Sequence, residues 1–96
     1  MRTLRSTLEY EVIFDRAVRV GVEMCWDIYR QDRNSGIIEA VDTTTIMGFK
    51  DDIVIRVRTG AGGTRVDLRS VSRVGQGDLG ANARRINRFI ERMQQE

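Results

Sequence analysis

The stretch richest in chemical function runs from Arg69 to Arg85. It holds Arg69, Ser70, Ser72 and Arg73, then a glycine-containing loop through Gly75 and Asp78, then Asn82 and Arg85. A loop that opens a helix presents unpaired backbone N–H groups at the positive end of the helix dipole. Hydroxyl and guanidinium groups just before it could complete a cradle for a carboxylate or phosphate. The anion need not come from outside. Asp78 stands where a helix cap is expected, and its carboxylate could pair with Arg73 or Arg85 and supply the negative charge from within. No Gly-Lys-Ser/Thr follows, so this is not a Walker A loop, and the Rossmann glycine spacing is absent.

Catalytic chemistry has little to work with. The chain has no histidine, which removes the commonest general base at neutral pH, the usual imidazole metal ligand and the base of a Ser or Cys triad. Cys25 is the only cysteine and lies in an apolar stretch, so a reduced, buried, inert thiol is expected there. Ser70 and Ser72 lack a visible general base. Asp51 and Asp52 resemble a catalytic pair, but neighbours in an extended segment point to opposite faces and cannot readily share a proton. The expected roles are a turn shaped by Asp51 and an ion pair between one carboxylate and Arg69 or Arg73. The reading leans against an enzyme, with no catalytic residue, metal or cofactor assigned.

Charge points to internal pairing. Lys50 is the only lysine, so positive charge is almost wholly arginine, interleaved with Asp and Glu to a net charge of +2. A nucleic-acid binder concentrates positive charge on one face, so the interleaving argues against that partner. Arginine's planar fork suits bidentate pairing with carboxylates, and intramolecular ion pairs are the expected use.

The elements that must position these groups follow from periodicity. Ninety-six residues make one domain, residues 1–96. No apolar run approaches the roughly 20 residues of a membrane span. The segment Met1 to Thr7 lacks the apolar core of a signal peptide, so a cytoplasmic chain is expected. Leu4, Leu8, Tyr10, Val12 and Phe14 alternate with polar residues, a period of two that predicts a half-buried strand. From Asp15, a candidate cap, the period changes: Val18, Val22, Cys25 or Trp26, and Tyr29 recur at helical spacing, predicting a helix over about Arg16 to Gln31 with Trp26 on its core side. Asp32 to Gly36 is a polar turn. Strands are predicted over Ile37–Ile46, Asp52–Arg58 and Arg65–Ser72 as an antiparallel meander. A final helix follows Asp78, with Leu79, Ala83, Ile86, Ile90 and Met93 on one side.

Register can be predicted too, because facing residues share a side of the sheet. Pairing Ile55 with Leu68 and Val57 with Val66 sets Arg56 opposite Asp67 and Arg58 opposite Arg65. Extension to the preceding strand places Asp42 beside Arg56, a charge ladder Asp42, Arg56, Asp67 on the open face. The predicted fold class is therefore α+β: two layers in the order β-α-β-β-β-α, a mainly antiparallel four-stranded sheet with two helices on one face. The position of the first strand is left open.

The segments Phe14 to Ala17, Trp26, Gly36 to Ala40, Phe49 to Arg56 and above all Asp67 to Ile86 resemble the domain of unknown function 1499 family, from about Tyr10 onward. Positions that match its motif are Trp26, Asp51, Asp52, Arg56, Arg69, Ser70, Ser72, Arg73, Gly75, Asp78, Gly80, Asn82 and Arg85. The resemblance implies a small domain without an established reaction, with relatives that often carry an N-terminal hydrophobic or export segment. Taken together, the chain reads as a non-catalytic structural or protein-interaction module. Asp51, Asp52, Arg56 and Asp67 form structural ion pairs, and the open sheet face meets a second copy or a protein partner. The alternative is a module that binds an anionic small molecule or acidic peptide through Arg69, Ser70, Ser72, Arg73, Gly75, Asp78, Asn82 and Arg85. A lock made by Arg73 predicts that Arg73→Gln costs about 3–5 kcal/mol if its carboxylate partner is buried.

Overall fold

The chain runs β1 (Arg2–Ser6), α1 (Tyr10–Glu23), β2 (Asp27–Asp32), β3 (Ile37–Thr43), β4 (Lys50–Gly60), β5 (Gly63–Ser72) and α2 (Leu79–Gln95). These elements are those of a computed structural model that describes residues 2–43, 48, 50–73 and 79–95. The five strands form one antiparallel sheet in the order β1-β5-β4-β3-β2. β1 and β2 are thus opposite edges, joined by α1 across the sheet, and β2 to β5 are a meander that returns to β1.

One face of the sheet is apolar because the hydrophobic residues of adjacent strands fall in register. Ile38 and Ala40 of β3, Ile53, Ile55 and Val57 of β4, and Val66 and Leu68 of β5 are all essentially inaccessible. Ile55 faces Leu68 and Ile38, and Val57 faces Val66. The helices cover this face with Ile13, Phe14, Ala17 and Val20 of α1 and Ile86, Phe89, Ile90 and Met93 of α2. Trp26 joins them, stacked on Phe89 with ring centroids 5.3 Å apart. Among the described residues, no helix is long and apolar enough to cross a membrane.

Three of the sequence expectations are corrected. The sheet has five strands, and the order β-α-β-β-β-α lacks the strand Asp27–Asp32 that the structure places where the first helix was expected to end. That strand was hidden because it is a polar edge with a bulge between Ile28 and Arg30, and only Ile28 packs against the core. The helix begins earlier, at Tyr10, so the alternation through Phe14 was misleading. Leu8 and Val12 are exposed, while the buried set Ile13, Phe14, Ala17, Val20 and Gly21 has helical spacing. Asp15 lies inside this helix, and its cap position is Glu9, which makes no side-chain cap hydrogen bond.

Cys25 is the third correction: it is exposed and adopts a positive φ of 64°. The Trp26 N–H donates to the Gly21 carbonyl at 3.0 Å and the Cys25 N–H to that of Val22 at 2.9 Å. This is a Schellman termination, which puts the residue one past the cap in the left-handed region and turns its side chain away from the core. The chain then drops Trp26 into the core from outside the helix.

Candidate functional site

At one end of the sheet the apolar rows of the helix-covered face give way to polar residues. Asp42 continues the row of Ile38 and Ala40, Asp51 that of Ile53 and Ile55, and Ser70 and Ser72 that of Val66 and Leu68. The register sets Asp42 opposite Asp51 and Asp51 opposite Ser72. These groups lie under the first turns of α2, and Asn82 and Arg85, three residues apart on one helix face, reach down to them.

The Arg85 guanidinium is the hub. Its Nε donates to Asp42 Oδ2 at 2.8 Å, its Nη1 to Ser70 Oγ at 3.0 Å and Asn82 Oδ1 at 2.7 Å, and its Nη2 pairs with Asp51 Oδ2 at 2.7 Å. Ser70 Oγ donates to Asn82 Oδ1 at 2.6 Å, and Asn82 Nδ2 donates to Ser72 Oγ at 3.1 Å. The side chains of Arg85 and Asp51 are only 9% and 6% exposed, so each charge depends on the other for compensation lost with water. The described groups set two carboxylates against one guanidinium. An incoming anion would meet net negative charge here.

The predicted binding set therefore divides. Ser70, Ser72, Asn82 and Arg85 come together on the helix-covered face. Arg69 and Arg73 are on the other, because residues one apart in a strand point to opposite sides. Gly75 and Asp78 lie outside the described residues. Arg73 pairs with Asp52, its Nε 3.0 Å from both carboxylate oxygens and its Nη2 2.9 Å from Oδ1. The paired carboxylate holds the Arg73 pKa above its ordinary value. Asp51 and Asp52 do point apart, as their adjacency predicts. Asp51 is in β4 rather than a turn, buried against Arg85.

The partner of Arg73 is half-exposed, and that sets the size of its effect. With side chains 47% and 38% exposed, the pair is screened, and Arg73→Gln is expected to cost about 1 kcal/mol or less rather than the loss of a buried pair. Denaturant unfolding of the variant measures this directly; a loss above about 2 kcal/mol would give Arg73 a role its contacts do not explain.

The open face carries a second constellation. The pairing of Arg56 with Asp67 and of Arg58 with Arg65 is as the sequence predicts. The extension to Asp42 is corrected: Arg56 lies opposite Ile37, and Asp42 opposite Asp51 on the covered side. Asp42 shares the even parity of Ile38 and Ala40, so pairing it with Arg56 would have turned those two outward. Arg56 makes no ion pair among the described residues. Asp67 instead pairs with Arg58 and Arg65, each at 3.4 Å, and accepts a hydrogen bond from Thr3 Oγ1 at 2.6 Å.

Sequence reasoning missed the consequence of placing β1 beside β5. Arg5 faces Arg65, which faces Arg58, so three arginines stand side by side in one rung across three strands. Arg56 and Arg69 occupy the next two rungs. Among the described residues of β1, β5 and β4, five arginines share this end of the face with one carboxylate, Asp67. Beyond it the charges balance: Arg30 bonds Glu39 at 3.2 Å and Arg73 bonds Asp52. The register Arg58 to Arg65 was legible in the sequence, but Arg5 belongs to this rung only through a contact 60 residues distant.

Among the described residues no group of three His, Cys, Asp or Glu side chains is placed to hold a metal ion. A family model described as a protein of unknown function (DUF1499) matches residues 4–93 of the chain. No curated protein matches it.

Proposed function

Because the chain belongs to the DUF1499 family of proteins of unknown function, which supplies no reaction, we propose from its own geometry that it is a non-catalytic interaction module whose contact surface is the open sheet face. The observation that carries this reading is the unequal use of the polar groups on the two faces. On the covered face Arg85 is consumed by Asp42, Asp51, Ser70 and Asn82, which makes that network a lock between α2 and the sheet. On the open face Arg5, Arg56 and Arg69 have no partner among the described residues, and no helix covers them.

The charge of the face selects the partner. A second copy meeting it face to face would have to supply carboxylates, but Glu39 and Asp52 are engaged by Arg30 and Arg73, and Asp67 by Arg58 and Arg65. An anionic partner fits better than self-association, because opposed like charges cost several kcal/mol and complementary ones speed encounter.

Amide chemical-shift mapping with hexaglutamate as an acidic probe tests the surface. Shifts are expected along β1, β4 and β5 at open-face positions, fading as salt rises and weakening in Arg56→Gln and Arg69→Gln. Equal shifts on the outer side of α2, around Arg88, would reduce the effect to general attraction by basic groups and overturn the assignment.

A further inference from the structure

Resting on the reading of the open face as the contact surface, we infer that its β1-β5-β4 end is a site for a compact oligophosphate, held across the rung Arg5, Arg65 and Arg58. Like charges placed directly opposite one another on adjacent strands destabilise a sheet. Here the rung has three, and among the described residues their only carboxylate is Asp67, shared between two of them at 3.4 Å. Arg65 reaches Asp67 through Nε, which is shielded from solvent and makes no aligned hydrogen bond with it. An arrangement that works against folding unless an anion occupies it fits a binding site better than a structural ion-pair network.

The surroundings agree. The three arginines are among the residues that line an open depression of about 500 Å³ at the β4–β5 hairpin. Among the described residues that line it none is aromatic, so these offer no platform for stacking nucleic-acid bases.

Spacing selects the ligand. The rung runs across strands about 4.7–4.9 Å apart, so its guanidinium groups start from Cα positions spanning about 10 Å. A short chain of linked phosphates is more compact than that span, so the three flexible side chains can converge on it, and it offers several acceptor oxygens to each planar fork. An acidic peptide laid along a strand would place one carboxylate about every 6.6–6.8 Å. Along β5 that row reads Arg65, Asp67, Arg69, and the peptide would meet a carboxylate in the middle.

Titration of the full chain with inorganic tripolyphosphate at fixed ionic strength, followed by calorimetry and amide shifts, tests this. One-to-one saturable binding is expected, with the largest shifts around Arg5, Arg58 and Arg65. Arg5→Gln and Arg58→Gln should each weaken it about tenfold, with Arg88→Gln unchanged. Arg5 has no partner among the described residues, so Arg5→Gln should fold and, without ligand, melt no lower than the parent. Equal weakening by Arg88→Gln, or tighter binding of a duplex oligonucleotide spread over the whole face, would overturn the site. If hexaglutamate binds the face and tripolyphosphate does not, the ligand class falls and the contact surface stands; if neither binds, both fall.

Discussion

Arg85→Met is expected to cost about 3–5 kcal/mol, close to the whole stability margin of a small domain. The reason is what it leaves behind. Asp51, 4% exposed, loses the guanidinium 2.7 Å away, and Asp42, Ser70 and Asn82 lose their common donor. Methionine fills much of the volume, so the cost measures charge and hydrogen bonding more than a cavity. Arg85→Lys keeps the charge but cannot reproduce four bonds from one planar fork, and should recover only part of the loss. Removing the stranded charge as well, in Asp51→Asn with Arg85→Met, should cost less than the sum of the single changes, because the two act as a unit. Denaturant unfolding of the parent, Arg85→Met, Arg85→Lys, Asp51→Asn and the double variant reads all of this. A loss below about 1 kcal/mol for Arg85→Met would mean that water already solvates Asp51, and the network would not be a lock.

The second large effect is predicted at Gly36. It has φ +74°, and a Cβ built there would lie 2.1 Å from the Val57 carbonyl oxygen and 2.8 Å from the Tyr10 hydroxyl. Neither neighbour is free to retreat. The Val57 N–H donates to the Gly36 carbonyl at 2.7 Å, so the clash falls on the β3–β4 pairing, and the Tyr10 hydroxyl donates to the Arg33 carbonyl at 2.6 Å. Gly36→Ala is therefore expected to cost about 3 kcal/mol or more, combining left-handed strain with displaced backbone. Gly62 separates the two terms, since its φ is +81° but nothing lies within 4 Å of its Cβ position. Gly62→Ala should cost only about 1–2 kcal/mol. Thermal unfolding of both variants makes the comparison, and equal losses would leave the close approach at Gly36 without consequence.

Much of the central sheet was legible because its signal is local and redundant. Ile53, Ile55 and Val57 alternate with polar residues, Val66 and Leu68 do the same, and one register brings the two rows together while a slip of one residue opposes them. The glycine turn at Gly36 and the helix periodicity through Ile86, Ile90 and Met93 were equally direct. The N-terminal third was harder because two periods fit it. Tyr10, Val12 and Phe14 satisfy an alternation, Ile13, Phe14, Ala17 and Val20 a helix, and what decides is that Ile13 meets the core while Val12 meets water.

The candidate site divides along the same line. Types and spacing singled out Ser70, Ser72, Asn82 and Arg85, and the two-residue period of β5 with the three-residue step on α2 is enough to put these four on one side. It is not enough to supply Asp42, whose place depends on β3 pairing, or to join Arg5 to Arg65 and Arg58. Which residues share a face within each element can be read from the chain directly, since that follows from the geometry of helix and strand. Which elements distant in the chain become neighbours depends on how the helices pack on the sheet. Burying both helices on one face sends α1 across the sheet and leaves β1 to close on β5, and this turns scattered arginines into an internal lock on one side and, on the other, a rung of three that shares one carboxylate.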